Sequence, residues 1–147
     1  LRSRTVIRTT PTRHFVDPSI GLAVMRASPR DLLGDFETFG LHFESLCVRD
    51  LRTYAQAIDG TAYHYRDKTG LEADIVLVLA DGRWALIEVK LGSLHLDAAA
   101  ANLRKLSDRV DSKRMGAPSF LAVVTGTATA YRRDDDVFVI PLACLAP

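Results

Sequence analysis

Hydrophobic and polar positions along the chain predict a helix, a three-stranded meander, a second helix and two further strands. Residues 3–16 alternate weakly and end in His14-Phe15-Val16, which predicts one or two short strands. Asp17-Pro18-Ser19 reads as a helix start, with Asp as N-cap and Pro in the first turn. Ile20, Leu22, Ala23 and Val24 fill that helix, and Ser28-Pro29-Arg30 is expected to break it. A longer helix is predicted over 37–57, with Leu41, Val48, Leu51 and Ala55 as its apolar stripe and Asp59-Gly60 at its end. Strands are predicted over 61–66, 71–80 and 83–91, separated by Asp67-Lys68-Thr69-Gly70 and by an Asp81-Gly82 hairpin signal. Residues 94–111 carry Leu96, Ala99, Leu103, Leu106 and Val110 on one helical face. The apolar run 119–125 predicts a strand covered on both faces, and 137–140, after the turn Asp134-Asp135-Asp136, a last short one. The order predicts an α/β (α+β) layered fold around a mixed sheet.

Strand periodicity isolates the chemistry. A period of two puts Leu71, Ala73, Ile75 and Leu77 on one face of the second strand and Glu72, Asp74, Val76 and Val78 on the other. The third strand divides into Ala85, Ile87, Val89 and Leu91 against Leu86, Glu88 and Lys90. Two carboxylates, Asp74 and Glu88, therefore sit inside apolar strands. A two-residue hairpin loop sets Asp74 opposite Val89; a three-residue loop, Ala80-Asp81-Gly82, sets it opposite Glu88. Opposed like charges in a sheet need a counter-charge. A divalent cation is one solution, since two carboxylates, a backbone carbonyl and waters suit magnesium or manganese. Lys90 adds a positive charge beside them. Glu44 interrupts the apolar stripe of the long helix, so it faces the core or a cleft, where it reaches the same site or pairs with an arginine such as Arg66.

Composition narrows the classes. The chain has 147 residues, enough for one ordinary domain or a domain with a short arm. An apolar fraction of 48% and a charged fraction of 25% are those of a globular protein and exclude disordered, collagen-like and coiled-coil states. No apolar run is long enough to cross a bilayer, and no secretory signal pattern opens the chain. Cys47 and Cys144 make no disulfide framework, so a reducing cytoplasmic location is expected. The net charge of +1 gives no global nucleic-acid signature, although residues 1–30 carry six basic groups against one acid. The opening without Met, directly into patterned sequence, reads as a piece of a longer protein.

The ordered set Glu44, Asp74, Glu88-x-Lys90 resembles the PD-(D/E)XK nuclease superfamily, the restriction-endonuclease-like fold. Gly40-x-x-x-Glu44, Tyr65-Arg66, Gly70-x-x-x-Asp74 and Ile87-Glu88-Val89-Lys90 are similar to the archaeal Holliday-junction resolvase pattern. With Phe15-Val16-Asp17-Pro18, Phe43-Glu44 and Glu72-Ala73-Asp74, they resemble more closely the domain of unknown function family 4143, found at the C-terminus of prokaryotic AAA-type ATPases. That resemblance implies residues 1–36 as an arm and strand-helix linker from a preceding ATPase region, and 37–147 as a nuclease-like domain. It implies Asp74, Glu88 and the Val89 carbonyl as ligands for magnesium or manganese. Lys90 is implied to stabilise the attacking hydroxide or the transition-state charge, Glu44 to complete the site, and Arg66 and Glu72 to be accessory. The implied partners are DNA, the ATPase and a second copy in a homodimer, with no membrane. ATP hydrolysis is not expected, because the chain contains no GxxxxGK[ST] loop.

Two function classes follow: a metal-dependent phosphodiesterase acting on DNA, and a catalytically inactive nuclease-fold module that regulates the ATPase. Intact Asp74, Glu88 and Lys90 favour the first; the near-neutral charge favours the second. His14, His42, His64 and His95 have no zinc spacing and read as surface or core residues. Ser45 and Cys47 lack the glycines of a nucleophile elbow, and Trp84 reads as packing.

Overall fold

The structure is a computed structural model that describes residues 13–146. Helices α1 (Pro18–Met25) and α2 (Pro29–Gly34) lead into the long helix α3 (Phe36–Ala57). Strands β1 (Gly60–Arg66), β2 (Glu72–Leu79) and β3 (Trp84–Lys90) follow, then α4 (Leu96–Arg109) and the single turn α5 (Ser112–Met115). Strands β4 (Phe120–Thr125), β5 (Tyr131–Arg132) and β6 (Val137–Pro141) and a 3-10 turn (Leu142–Cys144) close the chain. The expected strands over 3–16 fall largely outside the described residues, and Arg13–Val16 are not strand.

Local signals explain most boundaries. Asp17 accepts a hydrogen bond from Ser19 N–H at 2.9 Å and caps α1, as its Asp-Pro start predicts. Ser28-Pro29 does more than break that helix: Ser28 and Asp31 form a reciprocal capping box that starts α2. Asp35 caps α3 by accepting from Thr38 N–H at 3.0 Å. Leu41 does not belong to the buried stripe of α3, being 62% exposed. That stripe is Phe43, Cys47, Val48, Leu51 and Ala55. Trp84 is a packing residue, buried with its indole N–H donating to the Met115 carbonyl at 3.0 Å.

The six strands form one mixed sheet in the order β1-β2-β3-β4-β6-β5. The meander β1-β2-β3 is antiparallel; β3, β4 and β6 run parallel, and β5 is an antiparallel edge on β6. Each face is covered. Phe43, Cys47, Val48 and Leu51 of α3 pack on Ile75, Ile87, Val89, Ala122 and Val124. Leu96, Ala99, Ala100, Leu103 and Leu106 of α4 pack on Ala73, Val76, Leu86, Val123 and Val139. Leu103 is fully buried, and truncating such a side chain to Ala costs about 2–5 kcal/mol.

Two details of the meander set the site. Leu79 N–H donates to the Arg83 carbonyl at 2.8 Å, and Gly82 has φ +88°, so the hairpin uses the three-residue loop Ala80-Asp81-Gly82. Pairs Val78 with Trp84 through Ile75 with Ile87 follow from it. The strict alternation expected along β2 fails, however. From Tyr63 to Tyr65, β1 advances two residues while β2 advances three, from Val76 to Ala73. This is a β-bulge around Asp74–Ile75. It sends Ala73 into the α4-side core and Ile75 into the α3-side core, where simple alternation had put them on one face.

Candidate functional site

The bulge of β2 and the end of β3 bring Asp74, Glu88, Val89 and Lys90 together, beside Glu44 from α3. Past the Ile75–Ile87 pair, Val89 N–H donates to Asp74 Oδ2 at 2.7 Å. Lys90 Nζ donates to Glu88 Oε2 at 2.6 Å and to the Val89 carbonyl at 3.0 Å, and lies 4.0 Å from Asp74 Oδ2. Three oxygens of three different residues thus converge on one ammonium. Asn102 of α4 fixes the other side of Glu88 by donating to Oε1, and also donates to the Glu72 carbonyl at 2.7 Å.

Glu44 faces this group from the middle of α3. It does not pair with Arg66, which lies 3.5 Å from Glu72 Oε2; the ring nearest it is His14, with Nε2 at 4.0 Å from Glu44 Oε1, and burial lowers the pKa of that imidazole. Glu72 also accepts from His64 Nε2 at 2.7 Å. Arg66 and Glu72 therefore form a rim with His64. Sequence reading set His14, His64 and Asn102 aside or passed over them. All three are brought to the site by long-range packing that periodicity does not encode. Ser45 Oγ lies 3.4 Å from His14 Nδ1, but the 4.0 Å His14–Glu44 gap leaves no hydrogen-bonded nucleophile relay.

The electrostatics are unbalanced. Burial raises the carboxyl of Glu44 above its ordinary range, and repulsion from Asp74 adds to this. Burial likewise raises Asp74, against the pull of the Val89 N–H and Lys90. Glu88 is raised by burial in spite of its hydrogen bond from Lys90. Burial opposes the charge of Lys90, but its bond to Glu88 and the surrounding carboxylates outweigh that, and the ammonium is held above its usual value. One internal cation faces the buried Glu88 and the partly buried Asp74 and Glu44, an arrangement that has room for more positive charge.

The donor set suits a divalent ion. Asp74, Glu88 and the Val89 carbonyl are hard oxygen donors, and a site of two carboxylates with the remaining positions left to water is the usual habit of magnesium. The Lys90 ammonium stands where such an ion would be bound. Among the described residues no group of three or more His, Cys, Asp or Glu side chains forms a ready-made metal cluster, so any ion depends on the main-chain carbonyl and on movement of Lys90.

Residues 39–145 match the family described as Domain of unknown function (DUF4143). No match was found among curated proteins or solved structures.

Proposed function

The chain belongs to the DUF4143 family, and on that premise we propose that it is a metal-dependent phosphodiesterase domain acting on DNA. The observation that carries this reading is the convergence of Asp74 Oδ2, Glu88 Oε2 and the Val89 carbonyl on the Lys90 ammonium beside Glu44. Asp74, Glu88 and the Val89 carbonyl would hold magnesium or manganese, which supplies Lewis acidity and a hydroxide at neutral pH. Lys90, released from Glu88, brings its charge to the developing negative charge on the phosphate. Asn102 keeps Glu88 oriented while that exchange occurs. Glu44 accepts a hydrogen bond from the attacking water and orients it. The restriction-endonuclease-like assignment rests on the order of Glu44, Asp74, Glu88 and Lys90 along the chain and on the mixed sheet that carries the last three.

A second reading has its own observation. The 2.6 Å Lys90–Glu88 pair is a closed ion pair, as expected of an inactive module that regulates an attached ATPase. Manganese titration by calorimetry separates the two, run on the wild type beside Asp74→Asn and Glu88→Gln, with cleavage of a labelled DNA measured in parallel. Binding of one ion per chain, lost in both folded variants and accompanied by manganese-dependent cleavage, supports the phosphodiesterase. No binding into the millimolar range sinks it and leaves the ion-pair module.

A further inference from the structure

A concavity opens at the same edge of the sheet. Strands β3, β4 and β6 run parallel in a register that pairs Lys90 with Thr125 and Thr125 with Pro141, so their carboxyl ends lie side by side. Ligands of α/β sheets bind at this edge. Here a groove of about 400 Å³ is walled by Phe43, Asp50 and Tyr54 of α3, floored by Thr125 and Thr127, and closed by Leu142. Phe43, Asp50 and Tyr54 recur at spacings of seven and four, which place them on one face of α3. Phe43 directly precedes Glu44. The floor begins one strand over from Lys90, about 4.8 Å away in the sheet. The groove and the carboxylate site are therefore neighbours sharing a helix and a sheet edge.

The lining chemistry selects a ligand. Tyr54, only partly buried, offers flat apolar surface and Leu142 extends it, over Phe43, which is buried in the core behind them. Arg49 grips Asp50 by Oδ1 through both Nε and Nη2 at 2.8 Å, which fixes the carboxylate and leaves Oδ2 as the oxygen to meet a ligand. The hydroxyls of Thr125 and Thr127 hold each other at 2.8 Å, which uses one of their two O–H donors and leaves the other to bond elsewhere. A carboxylate already paired with an arginine still offers an acceptor oxygen to a hydrogen-bond donor, and it supplies no positive charge for a phosphate. A neutral aromatic ring bearing N–H donors fits instead, and the volume lies in the range of small-molecule sites.

We propose that this groove receives an unpaired nucleobase of the strand whose phosphodiester lies at Asp74, Glu88 and Lys90. The proposal rests on the phosphodiesterase reading and narrows its substrate to single strands, flaps or bulges. In a duplex the base edges are paired and stacked, and a base must leave the stack to enter a pocket. The Asp50 carboxylate favours guanine, which presents two adjacent N–H donors, and disfavours thymine, which presents one.

The test is fluorescence anisotropy of the full chain without added divalent ion, so that the probes stay uncut. The probes are a labelled dT hexamer, the same hexamer with one central dG, and a duplex of the dG sequence. The variants are Tyr54→Ala, Tyr54→Phe and Asp50→Asn, with thermal melts as the check on folding. The expected result is tightest binding of the dG single strand. Tyr54→Ala should weaken it about tenfold, near the lower end of base–aromatic stacking, while Tyr54→Phe retains it. Asp50→Asn should remove the preference for dG over dT. Equal binding of duplex and single strand, or a preference that survives both substitutions, overturns the groove assignment and leaves the phosphodiesterase reading standing. Failure to bind any of the three probes overturns the groove assignment too, and manganese calorimetry then decides separately whether the carboxylate site stands.

Discussion

The main-chain N–H of Val89 is held by the side chain of Asp74, at 2.7 Å. The last paired residues of the β2–β3 ladder are Ile75 and Ile87, and beyond them a carboxylate does the work of a strand neighbour. The bulge thus converts a metal-ligand candidate into a structural acceptor.

Asp74 therefore has two separable roles. Asp74→Asn keeps a carbonyl oxygen for Val89 N–H and should fold with near wild-type stability. Asp74→Ala orphans that N–H and should lose about 1–3 kcal/mol. Urea denaturation of the pair checks this. Manganese binding should be lost in both, so only the Asn variant gives a clean binding control.

Glu44 should be a stability liability at neutral pH. Its carboxyl is raised by burial and by Asp74, with Glu72 adding repulsion and Lys90 and His64 opposing it. A raised acid binds its proton more tightly when folded. Its contribution to stability is complete below the ordinary value near 4.5 and is lost as pH rises through the folded-state value. Glu44→Gln should raise Tm by a few degrees at pH 7, the size of roughly 1 kcal/mol in a chain of this length. It should also flatten the pH dependence above the ordinary value of 4.5. An unchanged or lower Tm for this variant would falsify the electrostatic account.

Lys90 competes for the oxygens a divalent ion would use. Lys90→Met should bind manganese more tightly than the wild type, since it removes the internal cation and retains Asp74, Glu88 and the Val89 carbonyl. Any DNA cleavage should disappear in the same variant. Weaker manganese binding in Lys90→Met would mean that the ammonium and the ion do not share a place.

Asn102 is a brace. It holds Glu88 Oε1 and the Glu72 carbonyl from α4, so Asn102→Ala should cost about 1–3 kcal/mol. Asn102→Asp sets a further carboxylate against Glu88 and should be worse at pH 7 than at pH 5. Denaturation midpoints at the two pH values test both.

The two thiols should differ sharply. Burial pushes the Cys47 thiol up to about 12, and Cys144 is exposed. At pH 8 only roughly one Cys47 in ten thousand is a thiolate, so iodoacetamide should label one thiol per native chain, on Cys144. Peptide mass spectrometry should find Cys47 labelled only after denaturation.

Much of this arrangement is legible in the residue pattern, because local rules carry it. The 22-residue helix, the meander and the Glu88/Lys90 face follow from periodicity, and Asp17-Pro18 from capping chemistry. What is not legible is non-local or breaks a period. A bulge inserts one residue into an otherwise regular alternation, so Ala73 and Ile75 part company. The loop Ala80-Asp81-Gly82 and the shorter Asp81-Gly82 turn satisfy the same glycine signal, and only the pairing of Leu79 with Arg83 decides between them. Leu41 falls at a helical spacing that meets solvent because α3 turns Phe43 and Cys47 inward. His14 meets Glu44 across 30 residues, a proximity that no spacing announces.

The two-residue strand β5 gives the sheet an unusual margin. Arg132 pairs with Asp136 at 2.8 Å and lies 5.8 Å from the centre of the Phe138 ring, so the edge is short and charged, and its neighbouring aromatic is capped. Such a margin is a poor template for an incoming chain. At high concentration, strand-by-strand self-association is blocked on the side where β4 and β6 are most apolar. Shortening or neutralising β5 would expose β6 and make that margin a nucleus for aggregation.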